Sequence, residues 1–168
     1  MKQSAGLLLF RKTNRVEVLL VHPGGPFWAK KDVGSWSIPK GEFLDDEEPQ
    51  VAARREFSEE LGVTAPEGEL MELGSAKQSS GKVVYAWALE ADLDTQHVKS
   101  NTFEMEWPPK SGQMQEFPEV DRAGWFSLTQ ASNKLAKGQV PLLQVLAEKL
   151  GITIEEEPDV DSMQTALL

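Results

Sequence analysis

The sequence predicts an α/β domain in which a mixed sheet carries helices on both faces. Three observations support this. Short apolar runs with strand character recur along the chain, segments of helical periodicity fall among them, and the two do not alternate with the regularity of a parallel doubly wound sheet. At 168 residues, 40% apolar and 26% charged, the chain is long enough to bury one core and short for two.

Residues 4–11 and 16–22 are apolar runs separated by Thr13-Asn14-Arg15, which reads as a β-hairpin. Pro23-Gly24-Gly25-Pro26 breaks the second strand and opens a loop that holds Phe27, Trp28, Lys30 and Lys31. Residues 35–39 form a short extended piece closed by Gly41. Residues 48–61 are helical: Pro49 suits a first turn, where its missing N–H costs little, and Gly62 suits the stop. Ala53, Phe57 and Leu61, at i, i+4 and i+8, give this helix a buried stripe. Strands are expected over residues 69–77, 82–91, 97–107 and 123–127, with a loop at 108–112. Helices are expected over 128–137 and 142–150, the second bounded by Pro141 and Gly151. The domain so defined spans residues 1–152, and 153–168, acidic at its start, reads as a flexible tail.

The formal net charge of −10 disfavours duplex nucleic acid as a partner, because such binding depends on Lys and Arg neutralising phosphates. With no cysteine, disulfides, thiolate nucleophiles and Cys-based zinc sites are excluded. His22 and His97 are too few and too far apart to suggest a His-rich metal centre. No apolar stretch reaches membrane-spanning length, so the expectation is a cytoplasmic protein, monomer or homodimer, without a membrane partner.

Chemistry concentrates in Arg54-Arg55-Glu56-Phe57-Ser58-Glu59-Glu60-Leu61-Gly62. On a helix, Glu56, Glu59 and Glu60 project from one side within reach of a common point. Taken alone, they are either a solvated acidic face balanced by Arg55 or the oxygen ligands of a hard cation such as Mg²⁺ or Mn²⁺. The spacing around them is more specific. Gly41, Glu47, Arg55, Glu56, Glu59, Glu60 and Gly62, with apolar Phe57 and Val63, fit Gly-x5-Glu-x7-Arg-Glu-U-x-Glu-Glu-x-Gly-U, where U is a bulky apolar residue.

This pattern resembles the Nudix box of the Nudix hydrolase family, and it does so without a departure over residues 41–63. The resemblance implies a Nudix-type α/β/α sandwich with a mixed central sheet, and hydrolysis of a P–O–P bridge in a nucleoside diphosphate derivative by water with Mg²⁺ or Mn²⁺. It further implies that Glu56, Glu59, Glu60 and the backbone carbonyl of Lys40 hold metal, and that Gly41 lets the loop approach the phosphates. Arg55 and Glu47 would form a supporting ion pair, with a helix-capping role as the alternative for Glu47. Glu56 is the first choice as general base. Glu116 and Glu119, ahead of Trp125-Phe126, are the candidates outside the box for metal ligand or base.

Substrate choice rests on residues outside the box. Trp36-Ser37-Ile38-Pro39-Lys40-Gly41 resembles members acting on dinucleoside polyphosphates, diphosphoinositol polyphosphates or 5′-triphosphate RNA ends, so Lys40 either faces a long phosphate chain or is a solvated loop lysine. Trp28, Phe27 and Trp36 are candidates to stack a base, and Lys110 could border the pocket. The expected partner is a small nucleotide polyphosphate, with dinucleoside polyphosphates and nucleoside triphosphates ranked above ADP-sugars. A non-catalytic nucleotide sensor that regulates a partner and an RNA 5′-end enzyme are the alternatives.

Overall fold

The computed structural model describes residues 3–154. The expected tail therefore lies, from residue 155 onward, outside the described residues. Ile154 still packs, partly buried, against one of the two apolar clusters.

The elements follow the apolar patterning. Strands β1 (Gln3–Lys12) and β2 (Val16–Pro23) form the N-terminal hairpin, with Phe10 opposite Val18. Next come β3 (Lys40–Glu42), helix α1 (Pro49–Leu61), β4 (Met71–Lys77) and β5 (Val83–Glu90). A short hairpin of β6 (Thr102–Glu106) and β7 (Met114–Pro118) precedes β8 (Val120–Ser127), α2 (Leu128–Lys134) and α3 (Val140–Leu150).

The main sheet runs β4-β5-β1-β2-β8, with β3 also paired to β1. Only the β1–β5 pairing is parallel, so the sheet is mixed as expected. Alternation along β1 divides two apolar clusters. Ala5, Leu7 and Leu9 point to α1 and meet Ala52, Ala53, Phe57 and Leu61. Leu8 and Phe10 point the other way, toward Leu135, Leu142, Leu143 and Leu146 of the α2–α3 side. The result is an α/β/α sandwich.

The β1–β2 hairpin splays beyond Phe10, and residues 37–42 fill the gap. Val21 and Ser37 exchange backbone hydrogen bonds, Leu7 N donates to the Pro39 carbonyl, and Gly41 pairs with Ala5. This wedge brings Lys40 and Gly41 to the middle of the sheet, beneath α1.

Three expectations are corrected. The strand expected over 97–107 begins only at Thr102. The backbone before it serves α1 instead, since Lys99 N donates to the Leu61 carbonyl and Asn101 N to that of Glu59. Residues 114–118, expected to be loop, form β7, which pairs with β6 in a sheet of its own. The helix expected over 128–137 stops at Lys134, and residues 137–139 form a separate 3₁₀ turn before α3. Among the described residues no helix is long and apolar enough to cross a membrane.

Gly62 and Gly151 both end helices with left-handed backbone, φ 71° and 70°. They differ in surroundings: a Cβ at Gly62 would lie 2.1 Å from the Lys99 carbonyl oxygen, whereas one at Gly151 meets nothing within 4 Å. Gly151→Ala should therefore cost only the left-handed penalty, about 1–2 kcal/mol. Gly62→Ala should cost clearly more in a urea titration, and equal losses would show that the Lys99 contact yields freely.

Candidate active site

Helix α1 starts on Pro49, a residue already set for helical φ, and its stripe of Ala53, Phe57 and Leu61 is fully buried against the sheet. Burying that stripe fixes the rotation of the helix. Glu56 and Glu60 are thereby turned toward the β3 wedge, and Glu59 reaches back to Arg55.

Arg55 ties the set together. Its guanidinium donates to both oxygens of Glu47, Nε to Oε2 at 2.8 Å and Nη2 to Oε1 at 2.9 Å. Nη1 donates to Oε1 of Glu56 at 2.9 Å and of Glu59 at 3.1 Å. The Glu47 bonds, above all, hold the guanidinium protonated more firmly than usual and hold the Glu47 carboxyl below its ordinary range. Glu47 thus sits in an ion pair, while the N-cap position of α1 belongs to Glu48, whose side chain makes no capping bond.

Gly41 is required by contact. A Cβ there would stand 1.9 Å from Oε2 of Glu56, so the carboxylate occupies the space a side chain would take. Oε2 of Glu60 accepts from Lys40 N at 3.3 Å. The Lys40 side chain is largely buried, so it is not a solvated loop lysine. Burial pulls its pKa down, against the carboxylate of Glu60, which raises it. Burial pushes the Glu60 carboxyl up to about 8, only partly opposed by Lys40. Burial also raises Glu56, and the neighbouring charge of Glu59 adds to the effect. Glu119, just before β8, presses both Glu56 and Glu60 in the same direction.

Of the two glutamates considered outside the box, Glu119 is the one coupled to these carboxylates. Its peptide is anchored twice: Glu119 N donates to the Asn101 carbonyl, and Gly24 N donates to the Glu119 carbonyl. Glu116 lies exposed on β7, directly opposite Glu104.

Trp36 is a correction. It is 5% exposed, its indole N–H donates to Asp32 Oδ1, and its ring meets His22 and Phe126 edge-on. It belongs to the α2–α3 core and cannot stack a base. Phe27 and Trp28 do face open space. With Phe103 and Met105 of β6 they line a cavity of about 350 Å³ whose wall includes Glu119. The sequence reading missed Phe103 and Met105, although their signal was present: in Thr102-Phe103-Glu104-Met105-Glu106 the apolar residues alternate with polar ones. Lys110 and its loop, at the far end of the β6–β7 hairpin, do not line this cavity. A larger cavity, about 570 Å³, flanks α1 along Val51, Arg54, Ser58 and Thr64, and it includes Arg55 but none of the glutamates of the cluster.

The donor set suits a hard divalent cation: oxygen ligands, partly buried, pressing on one another electrostatically. Among the described residues no three acidic or histidine side chains already converge as a metal cage. Arg55 takes one oxygen each from Glu56 and Glu59.

The sign of the pH effect follows from Glu60. Its folded value, about 8, exceeds the ordinary 4.5, so the folded chain binds this proton more tightly than the unfolded chain does. Without cation, this contribution to stability is fully present below about 4.5 and is lost as pH rises through about 8. Calorimetry in chelator should show Tm falling across that window, Glu60→Gln should flatten the fall, and added Mg²⁺ should oppose it. A Tm indifferent to both Mg²⁺ and the substitution would mean that Glu60 is not part of a cation site.

Comparison with known proteins agrees with this geometry. The NUDIX domain model matches residues 1–147. An RNA pyrophosphohydrolase of Caulobacter vibrioides is 40% identical over 57 residues, covering 31% of this chain and 33% of that protein, so the chain matches about a third of the length of this curated relative. Among solved structures, a C. elegans Ap4A hydrolase binary complex superposes with a TM-score of 0.61 at 23% identity, covering 90% of this chain and 98% of that one. The NUDIX domain of Shewanella oneidensis NrtR, complexed with ADP ribose, gives 0.58 at 20% identity, covering 88% and 87%. These two likenesses establish the fold, and the family model, spanning nearly all the described residues, places the chain in the Nudix family.

Proposed function

We propose that the chain is a divalent-metal-dependent pyrophosphohydrolase that splits a P–O–P bond in a nucleoside polyphosphate, with Mg²⁺ as the working ion. One observation carries this reading: Glu119, whose charge raises the Glu56 and Glu60 carboxyls, also lines an aromatic cavity. A phosphate chain at the cluster would place its nucleoside end at Phe27, Trp28, Phe103 and Met105. An apolar, aromatic-lined space suits a flat base better than a polyhydroxylated ring such as inositol. The Ap4A hydrolase among the structural neighbours and the RNA pyrophosphohydrolase among the sequence relatives are named for substrates within this chemical range.

In this reading Glu56, Glu59, Glu60 and the Lys40 carbonyl hold the metal, which when bound offsets the phosphate charge and makes a bound water more acidic. Arg55, braced by Glu47, keeps Glu56 and Glu59 oriented. Glu56 takes the proton of the attacking water; its raised carboxyl makes it a stronger base than an ordinary glutamate. The new P–O bond forms as the bridging P–O bond breaks, and the phosphate or nucleotide leaves with the bridging oxygen. Lys40 gives its charge first to Glu60, so its contact with phosphate is the less direct of the two roles.

Product release should be measured with Mg²⁺ on diadenosine tetraphosphate, a nucleoside triphosphate, ADP-ribose and a 5′-triphosphate RNA. The first two should be the best substrates. Glu56→Gln should lower kcat by about 10²–10⁴-fold, while Trp28→Ala should act mainly by raising KM. Tight binding without turnover of any compound would replace the enzyme with a nucleotide sensor, and preference for ADP-ribose or RNA would overturn the substrate ranking.

A further inference from the structure

His22 is fully buried at the end of β2, yet both ring nitrogens are engaged. Nε2 lies 2.6 Å from the Lys31 carbonyl oxygen and Nδ1 lies 2.9 Å from Oδ1 of Asp121. A carbonyl can only accept, so Nε2 carries a proton and donates it. Nδ1 faces the Asp121 carboxylate across the other hydrogen bond.

The backbone has been altered to make this contact. Along the β2–β8 pairing His22 stands opposite Arg122 and Pro23 opposite Val120, so Asp121 is the extra residue of a β-bulge. A bulge re-aims side chains and recurs beside active sites. Here it brings the Asp121 carboxylate to His22, with Arg122 Nε a further 3.9 Å from the same oxygen. The Trp36 ring, edge-on at 5.1 Å, closes the His22 pocket.

What the imidazole holds is the far end of the loop bearing the aromatic cavity wall. The near end is fixed independently, by Gly24 N donating to the Glu119 carbonyl. The Lys31 end has the His22 bond, and Lys31 in turn lays its ammonium over Phe27, 3.7 Å from the ring centroid, and 4.9 Å from that of Trp28. Position therefore passes from Asp121 to His22 to Lys31 to the two rings. We propose that His22 is a positioning residue for substrate specificity: clamped to Asp121, it sets the aromatic wall against which a nucleobase would lie. This rests on the reading of that cavity as the base site.

The test compares wild type with His22→Leu, Asp121→Ala and His22→Gln, using His97→Gln, an exposed histidine, as control. Two measurements separate the possibilities. The first is kcat and KM on a nucleoside polyphosphate and on inorganic tripolyphosphate, which has no base. The second is backbone hydrogen exchange over residues 24–31, which needs no turnover. His22→Leu and Asp121→Ala should raise KM for the nucleotide about tenfold with kcat within about threefold, leave tripolyphosphate unaffected, and speed exchange in the loop while α1 keeps its protection. His22→Gln, which retains an N–H able to reach the Lys31 carbonyl, should restore most of the loss. Loop exchange unchanged in Asp121→Ala overturns the clamp even if His22→Leu fails to fold. A fall in kcat on both compounds with KM unchanged overturns the specificity role. Faster loop exchange in a protein whose wild type turns over neither compound would keep the clamp and defeat the enzyme reading instead.

Discussion

The site depends on crowding negative charge into the seam between α1 and the β3 wedge. Glu56 and Glu60 are carried there because the opposite stripe of the helix, Phe57 and Leu61 included, is committed to the sheet. Once the stripe is buried the carboxylates have no freedom to turn toward water. Gly41 makes room by having no side chain, and Arg55 and Lys40 supply positive charge that is insufficient to restore ordinary acidity to Glu56 and Glu60. A folded chain that keeps such strain holds a standing affinity for added positive charge, which is the electrostatic basis of metal binding at oxygen-rich sites. In the proposed reading the same seam lets a chain of net charge −10 meet a polyanionic substrate, because a cation held there would reverse the sign of the charge locally.

Much of this was legible in the sequence, for identifiable reasons. The i, i+4, i+8 stripe and the Pro49 and Gly62 boundaries fixed where α1 lies and which side it buries, so the grouping of Glu56, Glu59 and Glu60 followed from helical geometry alone. The Arg55–Glu47 pairing was legible only through the resemblance, because eight residues separate the partners and a loop intervenes. The reason for Gly41 was not legible at all. Sequence reasoning assigned its smallness to an approaching phosphate, but the nearest atoms belong to Glu56, fifteen positions along the chain.

Failures cluster where backbone hydrogen bonds left the main sheet. Residues 99–101, Lys-Ser-Asn, lack strand composition, and the amides of Lys99 and Asn101 donate to the end of α1, while β6 and β7 pair only with each other. β6 alternates apolar and polar residues, as a ribbon with one solvated face should, but β7 exposes all of its residues except Phe117 and carries no such signal. Trp36 failed for the opposite reason. Its position near Lys40 and Gly41 suggested a ligand contact, but Trp36 is an odd number of residues from Gly41, which lies against Glu56 of α1, and alternation sends its side chain to the other face. Ile38 and Trp36 share the α2–α3 face, while the backbone of Lys40 faces α1.

That division of faces bears on how the fold separates its two tasks. The carboxylates stand on a helix whose placement is set by a fully buried apolar stripe, which gives metal ligands little latitude. The aromatic wall stands on a loop between β2 and the wedge, tied down at a few points: Gly24 to Glu119, Lys31 to His22, and the cation over Phe27. Substitutions in such a loop disturb fewer buried contacts than substitutions in α1, so the proposed base site would change more readily than the carboxylate cluster. Glu119 is the point at which the two meet, because its side chain acts on the cluster and its peptide holds the loop. The strictness of residues 41–63 and the poor legibility of the substrate therefore have one physical origin, the unequal packing of the two halves of a single site.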